Sequence, residues 1–211
     1  MNSEKPFFLK KQSRNKILIK IIKMRRISKF LAVAALSLLI GGVANAQVSI
    51  GIAPGIQIPM GDFGKGSNLG FGGGVSGEYA ITENIGVGLN VGFFTFGAKD
   101  LEEGASGSTS IIPIALTGKY YFITEGFKPY GGVNVGFNMV GFHAKFEGVS
   151  ISTTKGYMGV APVLGCQYAF SDALALDVNA KYNLIFGKKE ELGTVGTIGF
   201  NVGIVYSFGG K

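Results

Sequence analysis

The 211-residue chain predicts an all-β fold, an eight-stranded antiparallel up-and-down transmembrane β-barrel, and three observations carry that prediction. Apolar residues alternate with small or polar ones in eight runs, which is the period of a strand. Short and long connections alternate between the runs, as they do when tight turns lie on one side of a membrane and longer loops on the other. The small or polar face carries almost no charge. Of its 46 positions only Glu78, Lys119, Asp177 and Lys181 are charged, whereas a water-facing surface carries roughly 25–35% charged residues. The polar face therefore lines a confined interior, and the apolar face meets hydrocarbon.

The runs follow in order. The first sets Val48, Ile50, Ile52, Ile56 and Ile58 against Ser49, Gly51, Ala53, Gly55 and Gln57. The second has Leu69, Phe71, Val75 and Tyr79 outward with Glu78 among the glycines of its other face, and the third has Ile85, Val87, Leu89, Val91 and Phe93 outward. Ile112, Ile114, Leu116, Tyr120 and Phe122 mark the fourth, with Lys119 on its inner face. Val133, Val135, Phe137 and Met139 mark the fifth. The sixth carries Met158, Val160, Leu164, Cys166, Tyr168 and Phe170, and the seventh carries Leu174, Leu176, Val178, Tyr182, Leu184 and Phe186 with Asp177 and Lys181 opposite. The eighth runs through Ile198, Phe200, Val202, Ile204, Tyr206 and Phe208. Each is about 10 residues or longer, the length a tilted strand needs to cross a bilayer. Short connections are expected at 81–84, 123–127 and 171–173, and polar loops at 59–68, 97–110, 147–155 and 187–195. Tyr79, Tyr120, Phe122, Tyr168, Phe170, Tyr206 and Phe208 all fall where an even-numbered run meets a short turn or the C-terminus. An up-and-down path brings those ends to one rim, as an interfacial aromatic girdle.

Ahead of the runs the composition changes. The chain's formal net charge of +7 resides in residues 1–46, which hold ten basic residues and one acid, while residues 47–211 hold ten basic and twelve acidic ones. A nucleic-acid partner is excluded on that ground, because a basic footprint has to lie on the folded domain. Residues 24–46 have the three parts of a secretory signal: Arg25, Arg26 and Lys29, an apolar core from Phe30 to Ile40, and Ala44-Asn45-Ala46 before a cut between Ala46 and Gln47. That core is too short for a helical span of about 20 residues. Residues 1–23 read as an extension ahead of the true initiator Met24, and residues 47–211 as the barrel domain.

Chemistry-bearing motifs are sparse. Gly70 to Gly77 lacks the following helix and the Lys-Ser/Thr of a phosphate-binding loop, so its glycines read as lumen-facing and no cofactor is expected. A single cysteine, Cys166, excludes a disulfide framework and a cysteine-based zinc cluster, and it alternates with lipid-facing residues. His143, the one histidine, lies near Glu147, Ser150 and Ser152, but a Ser/His/acid set is recognised by geometry, and Lys145 stands two residues after it. Asp100, Glu102 and Glu103 form an acidic loop patch. The four inner charges sum to zero and are expected to pair in the lumen, since an unpaired charge in a low-dielectric interior is costly. The alternative is a solvated path between them, with the many inner glycines leaving it open.

With its signal segment, eight runs, Lys128-Pro129-Tyr130-Gly131-Gly132 opening of the fifth run and last strand ending at Phe208, the segment from Gln47 to Phe208 resembles the small outer-membrane β-barrel proteins of Gram-negative bacteria, the OmpX/OmpA-type, porin-like barrel domains. The resemblance implies placement in the cell outer membrane, contact with its lipid and lipopolysaccharide, and passage through the secretion and barrel-assembly machinery. Tyr206 and Phe208 would then form the C-terminal assembly signal. No peptidoglycan-binding domain is expected after the barrel. The expected role is structural or surface-interacting, non-enzymatic and monomeric. A narrow porin-like channel is the alternative, and a lipid A-modifying enzyme a more distant one.

Overall fold

Eight strands close on themselves, each hydrogen-bonded to its neighbours in sequence and the last to the first. The computed structural model describes residues 48–99, 105–146, 149–187 and 193–208. Its strands are β1 (Val48–Met60), β2 (Ser67–Ala80), β3 (Ile85–Ala98), β4 (Ala105–Tyr121), β5 (Phe127–Phe146), β6 (Val149–Ala169), β7 (Leu174–Phe186) and β8 (Thr194–Phe208). All neighbouring pairs are antiparallel and the barrel closes through β1 and β8, with Val48 opposite Phe208 and Ile58 opposite Ile198. Closure satisfies the ladder groups that an open edge would leave bare, a requirement for any sheet in hydrocarbon. The expected extension, signal segment and junction at Ala46 and Gln47 lie outside the described residues, as does the acidic patch at Asp100, Glu102 and Glu103.

Alternation sorts the side chains as the sequence predicts. Leu116 is 71% exposed and Ile204 51% on the outer face, whereas the inward Asn201 is 3% exposed. The rim aromatics are all exposed, and Tyr120–Phe122, Tyr168–Phe170 and Tyr206–Phe208 meet edge to face with ring centroids 5.6, 6.1 and 5.0 Å apart. Tyr206 and Phe208 thus stand at the lipid-facing end of β8. Cys166 is a partly exposed free thiol of the same outward parity.

The expected loops at the opposite end are corrected in three places. Residues 105–110 of the loop expected at 97–110 belong to β4, with Thr109 opposite Phe96 and Ser108 opposite Gly97. Residues 149–155 belong to β6 rather than to a loop, because β5 and β6 continue in register as far as Phe146 opposite Val149. The β6–β7 pairing begins only at Met158 opposite Phe186, so the β5–β6 hairpin projects above it. Alternation fades there because neither face of the hairpin is buried: Ile151 is 68% exposed, and Ser152, Thr153 and Thr154 are exposed too. Between β1 and β2 stands a short helix, α1 (Gly61–Gly66), where a polar loop is expected. Gly61 enters it at φ 59°, a conformation that costs glycine little. The Lys99 ammonium donates to Gly64 O at 2.8 Å, the Lys99 amide donates to Gly66 O at 3.0 Å, and the Asn68 amide nitrogen donates to Ala98 O at 3.2 Å, so α1 is tied to the end of β3. On the surface of α1, Lys65 donates to Asp62 at 2.7 Å. That hydrogen bond, and then the lysine's charge, hold the exposed Asp62 carboxyl below its usual range.

Candidate functional site: a lumen filled in three layers

The inward side chains form layers along the barrel. At the end bearing the short turns, the Lys119 ammonium contacts Glu78 Oε2 at 2.7 Å, and the Tyr121 hydroxyl donates to Glu78 Oε1 at 2.6 Å. Tyr130 lies beside Tyr121 with ring centroids 5.4 Å apart and beneath the Lys119 ammonium at 4.6 Å. Its hydroxyl lies 3.0 and 3.1 Å from the two oxygens of Asp177. Gln167 donates to Asp177 Oδ2 at 3.0 Å, and Asn179 donates to Oδ1 at 2.5 Å. Asn201 in turn donates to Asn179 Oδ1 at 3.1 Å. Tyr121, Tyr130 and Val163 form a small buried cluster in this layer, so packed side chains as well as charges close that end.

Above it lies a cavity of about 100 Å³, room for several water-sized occupants. Lys119, Lys181, Asp177, Thr117 and Asn134 are among its lining residues. On one wall the Thr197 hydroxyl donates to Gln57 Oε1 at 2.7 Å, and Asn183 donates to the same oxygen at 2.9 Å and to Thr197 Oγ1 at 3.0 Å.

At the loop end the lumen is apolar. Phe94, Phe96, Ile111, Val140, Tyr157, Ile185 and Val195 pack into one buried cluster, with Phe142 and Phe63 against it. Phe63 comes from α1 and meets Phe96 edge to face at 5.2 Å, so the helix contributes a side chain to this plug. The inner glycines make room for these large groups. A Cβ on Gly70 would run into the Phe96 ring, and one on Gly165 would lie 2.6 Å from the Tyr130 hydroxyl.

The four expected lumenal charges therefore do not form one network. Glu78 and Lys119 pair. Asp177 is satisfied by three neutral donors, a cheaper solution for a carboxylate already within reach of Tyr130, Gln167 and Asn179. Lys181 is left with no salt bridge or protein hydrogen bond among the described residues. Tyr130 is missed by the alternation because it precedes the clear run, although its position two residues before Gly132 gives it inward parity. The plug is signalled more openly: Phe94, Phe96, Ile111, Val140 and Ile185 are large apolar residues at inward positions near the loop ends. His143 lies exposed on the outer side of β5, opposite Ser108 and Ser152 in register, with no hydrogen bond to either among the described residues. Glu147 lies outside the described residues, as does the Ser150 side chain.

Comparison with known proteins agrees with this geometry. Neisserial surface protein A, a solved structure, superposes with a TM-score of 0.54 at 20% identity over 75% of this chain and 94% of its own. OprG of Pseudomonas aeruginosa gives 0.50 at 18% identity over 78% and 97%. Ail, the attachment invasion locus protein of Yersinia pestis, gives 0.50 at 19% identity over 77% and 97%. An uncharacterized protein of Haemophilus influenzae is 32% identical over 97 residues, 45% of this chain, and the match spans about half the length of that relative. A family model, outer membrane protein beta-barrel domain, matches residues 30–208. The chain belongs to this family of outer-membrane β-barrel proteins, and its place is the cell outer membrane.

Proposed function

We propose that the protein is a non-conducting, non-enzymatic barrel that acts through its presence in the outer membrane and through the surface it displays above it. The observation that carries this reading is that both ends of the lumen are filled by packed side chains, Tyr121, Tyr130 and Val163 at one end and the Phe96 cluster at the other. A hydrophobic constriction of the second kind also resists wetting, so it opposes ion passage even where a gap remains. Among the described residues the β5–β6 hairpin extends beyond the β6–β7 pairing as a displayed surface, and lipid and lipopolysaccharide are the partners its surroundings offer. Closure of the sheet leaves no barrel edge to pair with a second copy, which supports a monomer. Liposome swelling tests the reading: vesicles carrying the purified protein should swell in small sugars no faster than empty vesicles. Swelling at the rate of a general porin would favour the channel instead.

A further inference from the structure

The lumenal charges are not compensated one by one. Lys119 has Glu78 at 2.7 Å, and hydrogen bonds from Tyr130, Gln167 and Asn179 reach both Asp177 oxygens. Lys181 lines the same cavity with no salt bridge or protein hydrogen bond among the described residues. Two other groups of that cavity lack a protein partner among the described residues: the Thr117 hydroxyl and the side-chain oxygen of Asn134, both on residues only 7% exposed. A buried polar group without a partner is rare in a folded protein and calls for a ligand or solvent. An ammonium, a hydroxyl and a primary amide together make a donor set for an anion, because the two ends of an asparagine amide exchange by rotation and present either NH₂ or oxygen.

We propose that the lumen holds one small monovalent anion of halide size, bound by Lys181 with Thr117 and Asn134 as supporting donors. The anion accepts from the one lumenal ammonium that has no protein acceptor among the described residues. The cavity, about 100 Å³ between the tyrosine layer and the apolar plug, limits the anion to a few atoms. Asp177 lines the cavity as well, but its charge is already dispersed over donors from three side chains. The anion is held rather than conducted, so the site requires no open path and does not rest on the absence of conductance.

Bromide tests the site, because it replaces chloride and scatters anomalously. Crystals of the protein purified from outer membranes and grown in sodium bromide should show one anomalous peak inside the lumen at hydrogen-bonding distance from Lys181 Nζ. The peak should vanish in Lys181→Met and weaken in Thr117→Val. In solution, the folded barrel should broaden the bromide NMR line, and Lys181→Met should remove at least half of that excess width. Absence of a lumenal peak at saturating bromide, or a peak that survives in Lys181→Met, would overturn the proposal. If Lys181→Met does not fold, the wild-type peak and its distance from Nζ decide alone.

Discussion

Replacing Lys119 by Met should weaken the barrel, while the same replacement at Lys181 should not. Lys119 lies 2.7 Å from Glu78, and the two side chains are only 12% and 14% exposed. Removing one partner of a buried pair costs about 3–5 kcal/mol, mostly for the charge left behind. Here the Tyr121 hydroxyl stays on Glu78 at 2.6 Å, and the residual exposure admits solvent, so the lower end of about 3 kcal/mol applies. The lost contact over the Tyr130 ring lies within that figure, since effects of touching groups do not add. Lys181→Met removes an ammonium with no salt bridge or hydrogen bond among the described residues and fills the space with an apolar chain, so it should be neutral or stabilising in gluconate buffer. The assay is urea unfolding in lipid vesicles followed by far-ultraviolet circular dichroism and heat-modified gel mobility, because the chain has no tryptophan to report. A double-mutant cycle of Lys119→Met with Glu78→Gln should give a coupling above about 1 kcal/mol. Coupling near zero, or Lys181→Met costing as much as Lys119→Met, would refute the assignment of the pair.

Three further outcomes follow from the same geometry and the same unfolding assay. Tyr130→Phe removes a hydroxyl donor from Asp177 and should cost about 1.5–3 kcal/mol, the range for a hydrogen bond to a charged group; no change would mean that Asp177 is held by its other donors. Leu116→Arg puts a charge on the lipid face at a residue 71% exposed there, and should cost about 2–4 kcal/mol if that site is at mid-membrane; a cost near zero would place Leu116 at the interface. Asp62 titrates below its usual range because of Lys65, so any stability it lends is present above the normal carboxylate pKa and lost as pH falls through the lowered one; both groups are exposed, and Asp62→Asn should leave the acid limb of a pH–stability profile unmoved. A shifted acid limb in that variant would show that the pair is coupled to the fold.

The strands are legible in the sequence because membrane and lumen impose opposite chemistries on alternate residues. Ile204 and Val202 cannot trade places with Gly203 without putting large apolar groups into the lumen. The rim aromatics are legible for the same reason, since each continues the outward parity of its strand. The upper halves of β5 and β6 are not, because Ser152 and Thr154 leave the hydrocarbon and lose the apolar partner that makes a period visible. The helix α1 has six residues, three of them glycine, too few to show a helical period. The lumenal layers are half legible. Composition locates Glu78, Lys119, Asp177 and Lys181 on inward faces, but which of them pair depends on strand stagger around the barrel. That stagger puts Tyr130 against Asp177 and leaves Lys181 apart, and single-strand patterns do not contain it.

Single-channel recording in planar bilayers tests the filled lumen most directly. The wild-type barrel should insert without conductance steps, and a variant stripped of the plug, Phe96→Ala with Ile111→Ala and Val140→Ala, should produce small steps if it folds. Steady ohmic steps from the wild type, reduced by Lys119→Ala or Asp177→Ala, would contradict the account and make the lumen a channel.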